Sequence, residues 1–270
     1  MDHTQFLGNS LEQIAMEKAG IIKKGVPVVV GETTPETRMV FEAIAGENQA
    51  PITFAEDHKQ IMSISEGPKG IEYNTRSFGV INGELNGIYQ EKNTNTILCA
   101  VQQLEQLGYM HAVKCQANTE CQNREVRQAF LHVCSLTGLM GRWQKIGDAP
   151  LTICDTGHNV PGWQYLSKQL NNVICHHMHI VFGMVDDKDI HGVMELLPKN
   201  ATYYFTKAST KRAVSENVLK LYAQGIGLQG ESYVDVKSAY DAAKAAAGND
   251  DFVFVGGSSY VVADLLKNCI

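Results

Sequence analysis

The chain has 270 residues, of which 44% are hydrophobic, 8% aromatic and 19% charged, with a formal net charge of −6. These proportions exclude wholesale disorder and a coiled coil, and an acidic balance without a dense basic block argues against a protein that grips nucleic-acid backbone. No apolar run approaches the ~18–20 residues that span a bilayer, and Met1 to Asn9 lacks the basic start and apolar run of a secretory signal.

In chain order, Ser10–Ala19 reads as a helix, entered through the S-x-x-Q capping pattern of Ser10 and Gln13 and stopped at Gly20. Val26–Val30 reads as a buried strand, Pro35–Ala45 as a helix and Ile52–Ala55 as a short strand. His58 to Gly87, rich in Gly, Ser and Asn, predicts short antiparallel strands. Glu91–Gln106 predicts a helix with Ile97, Leu98, Val101 and Leu104 on one stripe; Glu125–Leu136 predicts another, aligning Val126, Ala129, Phe130 and Val133. Thr137–Gly147 holds three glycines and separates two patterns, which puts a boundary there and gives domains 1–140 and 141–270.

Beyond it, strands and helices alternate. Leu151–Asp155 precedes Pro161–Asn171, and Met178–Gly183 precedes Asp189–Leu197. Ala201–Thr206 precedes Val214–Gln224, Ser232–Val236 precedes Ser238–Ala247, and Phe252–Val255 precedes Ser258–Lys267. Five such strands predict an α/β fold with a doubly wound, mainly parallel, Rossmann-like sheet. The seven cysteines are odd in number and include no C-x-x-C pair. They read as reduced, partly buried thiols of a cytoplasmic protein, not as a disulfide framework or a zinc site.

Five groups of residues are chemically suggestive. Lys18 shares a helical stripe with Leu11, Ile14 and Ala15. A buried lysine has a depressed pKa and a nucleophilic amine, able to form a metal-binding carbamate with carbon dioxide; the plain alternative is a helix-end lysine reaching water. The loop Asp155-Thr156-Gly157-His158-Asn159 lies between a strand end and a helix start, where ligands gather in open α/β sheets, and Gly141-Arg142 precedes it; an Asx-type turn closing the loop is the alternative. Gly256-Gly257-Ser258 is either an anion pocket or a tight turn capped by Ser258. Asn93, near a helix start, could read a base edge or simply face solvent. In His176-His177-Met178-His179, strand alternation would send His177 and His179 one way and His176 the other, which disfavours a metal site. Asp186 to Asp189 reads as a solvated loop with a helix cap.

Together these segments resemble the folylpolyglutamate synthase/dihydrofolate synthase family of the Mur ligase superfamily. Asp2-His3 … Leu7-Gly8 … Glu17-Lys18-Ala19-Gly20-Ile21-Ile22-Lys23 looks like its DH-x-x-x-LG … EKAGI-x-K signature. Gly141-Arg142 with Asp155-x-x-His158-Asn159 is similar to the carboxy-domain nucleotide motif. Gly183-Met184 … Asp187-Lys188-Asp189 and Gly257-Ser258 before Tyr260 look like the family's DKD and GS-x-Y elements.

The resemblance implies an ATP- and magnesium-dependent ligase. It would activate the carboxylate of dihydropteroate or of a folate as an acyl phosphate and join it to L-glutamate. His3 then matches the magnesium-binding histidine and Lys18 the carbamylated lysine. Asn93 matches an asparagine near adenine, Arg142 the arginine at the ATP phosphates, and Asp155 the aspartate near ribose and phosphates. His158 matches a histidine lining the nucleotide and substrate region, and Ser258 a contact for the incoming glutamate. The partners implied are small molecules, with no nucleic acid or membrane, and a monomeric parent.

Two departures stand out: Val160 precedes Pro161 where the family has proline directly after asparagine, and no GTNGKG[ST] phosphate loop occurs. With no strand before its first helix-entry signal, the chain is expected to be the end of the central ATP-binding domain plus the carboxy-terminal domain, truncated and inactive alone. The alternatives are a non-catalytic binding module derived from a ligase, or another Mur-type peptide ligase.

Overall fold

Ser10 opens the first helix, α1 (Leu11–Ala19), by accepting the Gln13 N–H on its hydroxyl. The computed structural model describes residues 10–67, 70–109 and 119–269, without the side chains of 119–122. Among these, contacts separate one unit running to Leu139 from another starting at Met140.

In the first unit, β1 (Val28–Val30) and β2 (Ile52–Phe54) pair in parallel, with α2 (Pro35–Glu47) between them in sequence. Thr34 and Thr37 close a reciprocal capping box at the start of α2. A small core of Ala19, Ile22, Ala45 and Ala50 joins these elements. This packing corrects the reading of Lys18. The stripe that α1 buries runs through Ala15 and Ala19 and continues to Ile22, while Leu11 is 43% exposed and Lys18 is exposed. Small alanines let α1 approach α2 closely, and that rotates Lys18 onto the flank.

A short 3₁₀ turn, Ala55–Asp57, leads to the expected antiparallel strands: β3 (Ile61–Glu66), β4 (Ile71–Thr75) and β5 (Val80–Gly83). They cover α3 (Gln90–Gln106) and α4 (Thr119–Leu131) through Tyr73, Phe78, Ile81, Leu98 and Val126. The buried stripe of α3 also differs from the expected one. It follows Gln90, Thr94 and Leu98, and leaves Ile97 and Leu104 exposed. The single helix expected over Glu125–Leu136 is broken at His132, whose backbone (φ −129°, ψ 24°) is not helical, so a separate α5 covers Val133–Thr137.

The second unit is one six-stranded sheet in the order β10-β9-β8-β11-β7-β6. Its strands are β6 (Gln144–Asp148), β7 (Leu151–Asp155), β8 (Met178–Phe182), β9 (Thr202–Phe205), β10 (Gln229–Ser232) and β11 (Phe252–Gly256). All pairs are parallel except β6 with β7. The sequence reading has five strands. It lacks β6, an edge strand with one apolar residue, Ile146, and places the fourth strand after β10 because Gln229–Ser232 contains no apolar residue. Asp235, at the end of that expected strand, instead caps the next helix by accepting from the Ser238 N–H.

Helices cover both faces. On one lies α6 (Val160–Asn171), whose fully buried Trp163 meets Phe182 and Phe254 edge-on at 5.6 and 5.9 Å. Beside it lie α7 (Ile190–Met194) and α8 (Glu216–Gly225), linked by the His191–Tyr222 ring contact. On the other face, α9 (Val236–Ala246) and α10 (Ser259–Asn268) pack on Cys154, Val181, Tyr204, Val253 and Val255. The helix after β11 therefore leaves on the opposite side from those after its neighbours β7 and β8. The carboxyl end of β11 is therefore a topological switch point of the sheet, the place where ligands gather in open α/β folds.

Candidate functional site

The β7/β11 side of this end collects Arg142, Asp155 and His158. Asp155, 2% exposed, ends β7 and accepts two backbone N–H groups: Trp143 on Oδ2 at 2.7 Å and Gly157 on Oδ1 at 2.8 Å. Its carboxylate thus fastens the turn before β6 to the loop after β7. The turn needs its glycine: Gly141 has φ +71°, and a Cβ there would lie 2.6 Å from Thr156 Cγ2. Thr156 returns a backbone bond to the Gly141 carbonyl at 2.9 Å. Arg142, in this turn, donates from Nη1 to the Thr156 hydroxyl and remains half-buried.

The loop ends in a defined tautomer and a cap. The His158 Nδ1 lies 3.0 Å from the Thr156 carbonyl, so in the neutral ring Nδ1–H donates and Nε2 is the basic nitrogen. Asn159 caps α6 by accepting from Gly162 N–H at 2.9 Å, and Trp163 Nε1 donates to the Gly157 carbonyl at 3.1 Å. Val160 before Pro161 leaves this cap intact. Both readings of the loop hold in part: it is a capped turn, and the turn presents an arginine and a histidine. Cys154, beneath it, has its thiol pushed up to about 12, first by burial and then by Asp155, which removes it as a nucleophile.

On the β8/β11 side the backbones of two glycine turns pack closely. Gly183 N–H donates to the Gly256 carbonyl at 3.2 Å, and a Cβ on Gly257 (φ +99°) would lie 2.6 Å from the Gly183 carbonyl oxygen. Ser258, 1% exposed, accepts from Tyr260 and Val261 N–H at 3.1 and 3.3 Å. The capped-turn alternative describes it. The sequence reading missed Arg212, which pairs with Asp187 and lies over the Tyr260 ring. The only signal for it is the clustering of Lys207, Lys211 and Arg212 just after a strand.

The remaining expected site residues belong to the first unit or fall outside the described residues. Lys18 and Asn93 are exposed members of the first unit, and Asn93 donates to Gln90 Oε1 at 3.2 Å from the start of α3. His3 lies outside the described residues. Among the described residues, no three His, Cys, Asp or Glu side chains are grouped to hold a metal ion. The histidine run alternates: His177 and His179 stack edge-on at 4.9 Å, whereas His176 is 85% exposed.

These loops lie at the carboxyl end of a doubly wound α/β sheet, and residues 141–259 match the family model for the Mur ligase glutamate ligase domain. Over nearly its whole length the chain is similar to folylpolyglutamate and dihydrofolate synthases. It is 24% identical over 273 residues to the dihydrofolate synthase/folylpolyglutamate synthase of Bacillus subtilis, covering 98% of this chain and 60% of that protein. The structure of E. coli FolC in complex with DHPP and ADP superposes with a TM-score of 0.73 at 25% identity, covering 99% of this chain and 58% of that one. A bifunctional folylpolyglutamate synthase/dihydrofolate synthase from Yersinia pestis, complexed with AMPPNP and a Mn ion, gives 0.72 at 25% identity, covering 98% and 58%. The chain thus spans about 60% of the length of the relatives it matches. No helix among the described residues is long and apolar enough to cross a membrane.

Proposed function

We propose that this chain is part of an ATP-dependent ligase that joins L-glutamate to the carboxylate of a folate or dihydropteroate. The observation that carries the reading is the loop pair held by Asp155, with Arg142 and His158 on it, inside the segment that matches the glutamate ligase domain.

In this reading the substrate carboxylate attacks the γ-phosphorus of ATP, giving an acyl phosphate and ADP. The glutamate amine then attacks the acyl carbon, and phosphate leaves with the C–O bond. Arg142 is suited to the phosphates because its guanidinium is anchored at one nitrogen and keeps further N–H donors. Asp155 acts through the turn it fixes, since both its oxygens accept backbone N–H groups. His158, with Nε2 as its basic nitrogen, is suited to take a proton from the attacking amine.

Ser258 supports the α10 cap beside the site, and Asn93 is assigned to adenine by resemblance alone. The relative bound to AMPPNP and Mn makes a divalent ion part of the proposal. Among the described residues no three potential ligands are grouped to hold it. The metal roles of His3 and Lys18 rest on the resemblance.

Titration calorimetry with AMPPNP tests the nucleotide assignment. Arg142→Met should weaken binding roughly 10- to 100-fold, the worth of a charge-assisted hydrogen bond. Equal affinity in the variant, or no binding to the parent chain, overturns it. For the native protein, the substrate assignment fails if a nucleotide-linked muramyl acceptor, and not dihydropteroate or a reduced folate, gains the glutamate.

A further inference from the structure

Arg142 stands between two left-handed residues, Gly141 with φ +71° and Trp143 with φ +47°. A left-handed backbone is costly for a residue with a Cβ and persists only where its surroundings over-determine it. Trp143 meets that condition. Its N–H donates to Asp155 Oδ2 at 2.7 Å, and its ring packs on Phe252 and Phe254 at 6.4 and 5.9 Å. The arginine backbone is thereby fixed on its carboxyl side.

Thr156 acts on the other side. Its N–H and its hydroxyl both donate to the Gly141 carbonyl, at 2.9 and 3.1 Å. That carbonyl belongs to the peptide bond leading into Arg142. The same hydroxyl accepts from Arg142 Nη1. The roles are forced, because a guanidinium only donates and a carbonyl only accepts. The single hydroxyl proton is committed to Gly141, and a lone pair is left for the guanidinium. A hydroxyl that donates in this way is also the better acceptor. The methyl of Thr156 completes the fit. A Cβ on Gly141 would lie 2.6 Å from Thr156 Cγ2, so the glycine makes room for it. Branching at Cβ keeps the Thr156 side chain stiff at χ1.

We propose that Thr156 is a positioning residue for Arg142. It holds the peptide and the guanidinium of the arginine at once, and so presents the remaining N–H donors to the nucleotide phosphates in a fixed direction. This rests on the Arg142 reading above. Without the hydroxyl, the arginine keeps its charge and loses its direction.

The test is titration calorimetry with AMPPNP on the full chain, on Thr156→Val, Thr156→Ser and Arg142→Met, and on Thr156→Val combined with Arg142→Met. Valine keeps the methyl and the stiffness and deletes the hydroxyl. It should weaken AMPPNP about 3- to 10-fold, the worth of one hydrogen bond. Serine keeps the hydroxyl and should recover most of that loss. In the Arg142→Met background valine should have no further effect, because a residue that acts through Arg142 then has nothing left to position. If the valine variant does not fold, Thr156→Ala compared with Thr156→Ser isolates the same hydroxyl.

Parent affinity in Thr156→Val overturns the proposal, as does a serine variant as weak as valine or a valine effect that persists undiminished without Arg142. Each of these leaves the Arg142 assignment standing when Arg142→Met itself weakens AMPPNP. No binding by the parent chain, or equal binding by Arg142→Met, removes the nucleotide assignment instead. The positioning is then decided by nitrogen NMR of the guanidinium, with Arg142 identified by its loss in Arg142→Met. Separate Nη signals in the parent and in Thr156→Ser, averaged to one in Thr156→Val, uphold it. Averaged signals in the parent, or separate ones in Thr156→Val, overturn it.

Discussion

Every residue of β8 and β11 is buried, and no residue of β1 is. Both regions are built from parallel pairs of apolar strands, yet they are covered differently. The β8–β11 pair has α6 and Trp163 on one face and α9 and α10 on the other. The β1–β2 pair shares a core of small residues with α1 and α2, and Leu11, Met16, Ile21, Val26 and Met39 nearby in sequence are all exposed. Parallel sheet is stable when helices cover both faces. The second unit thus carries a core covered on both faces, and the Gly157 loop of the candidate site is tied to it through Trp163.

The largest expected effect comes from breaking the better-covered region. Trp163 is 0% exposed, meets two phenylalanines and donates to the Gly157 carbonyl in the candidate site. Trp163→Ala should cost about 3–5 kcal/mol, the usual range for emptying a large aromatic site, measured by urea denaturation. Nucleotide affinity should fall with it, since the Gly157 loop loses its anchor. A loss below about 1 kcal/mol, the level of an ordinary surface change, would mean that the core is not as continuous as the burial implies.

The same contrast explains how much could be read from the sequence. Strands β7, β8, β9 and β11 were legible because strands buried on both faces are written as apolar runs. Strands β6 and β10 were not, because they are the sheet edges and their residues, Gln144–Asp148 and Gln229–Ser232, are mostly polar. The loop holding Asp155 and His158 was legible because it falls between a strand end and a capped helix. Arg212 was not: its place beside Asp187 and Tyr260 arises from three loops that are far apart in sequence. The stripe of α1 was misplaced because periodicity does not say which helix face the neighbour covers; the small alanines decided that, and the plain alternative of a helix-end lysine reaching water describes Lys18.

A smaller effect sharpens the comparison from within the covered sheet. His179 is 5% exposed on β8, its Nδ1 2.9 Å from the Tyr204 hydroxyl and its Nε2 3.5 Å from Asp251. Burial, the largest cause, and the neighbouring His177 hold its pKa below the usual histidine value, outweighing Asp251. The unfolded chain therefore takes up a proton near pH 6.5 that the folded chain still refuses. Stability from this group is intact above that pH, declines as pH falls toward the folded pKa, and levels off below it, by at most about 1.4 kcal/mol per pH unit. Urea midpoints at pH 7.5 and 5.5 should differ less in His179→Gln than in the parent. An equal drop in both would assign the pH dependence to other groups.

The smallest effect belongs to the sparsely covered region and decides between two faces of α1. Lys18 is exposed in the last turn, where a cation interacts favourably with the helix carbonyl end. Methionine has nearly the same helix propensity as lysine, so Lys18→Met loses little beyond that interaction. The expected change in melting experiments is a loss within about 0.5 kcal/mol, the range for an exposed site. Were Lys18 instead on the buried stripe with Leu11, Ile14 and Ala15, methionine would relieve a desolvated ammonium and bury its own side chain. That would register as a gain of about 1 kcal/mol or more from apolar burial, and such a gain would move the covered face of α1 from the alanines to the lysine.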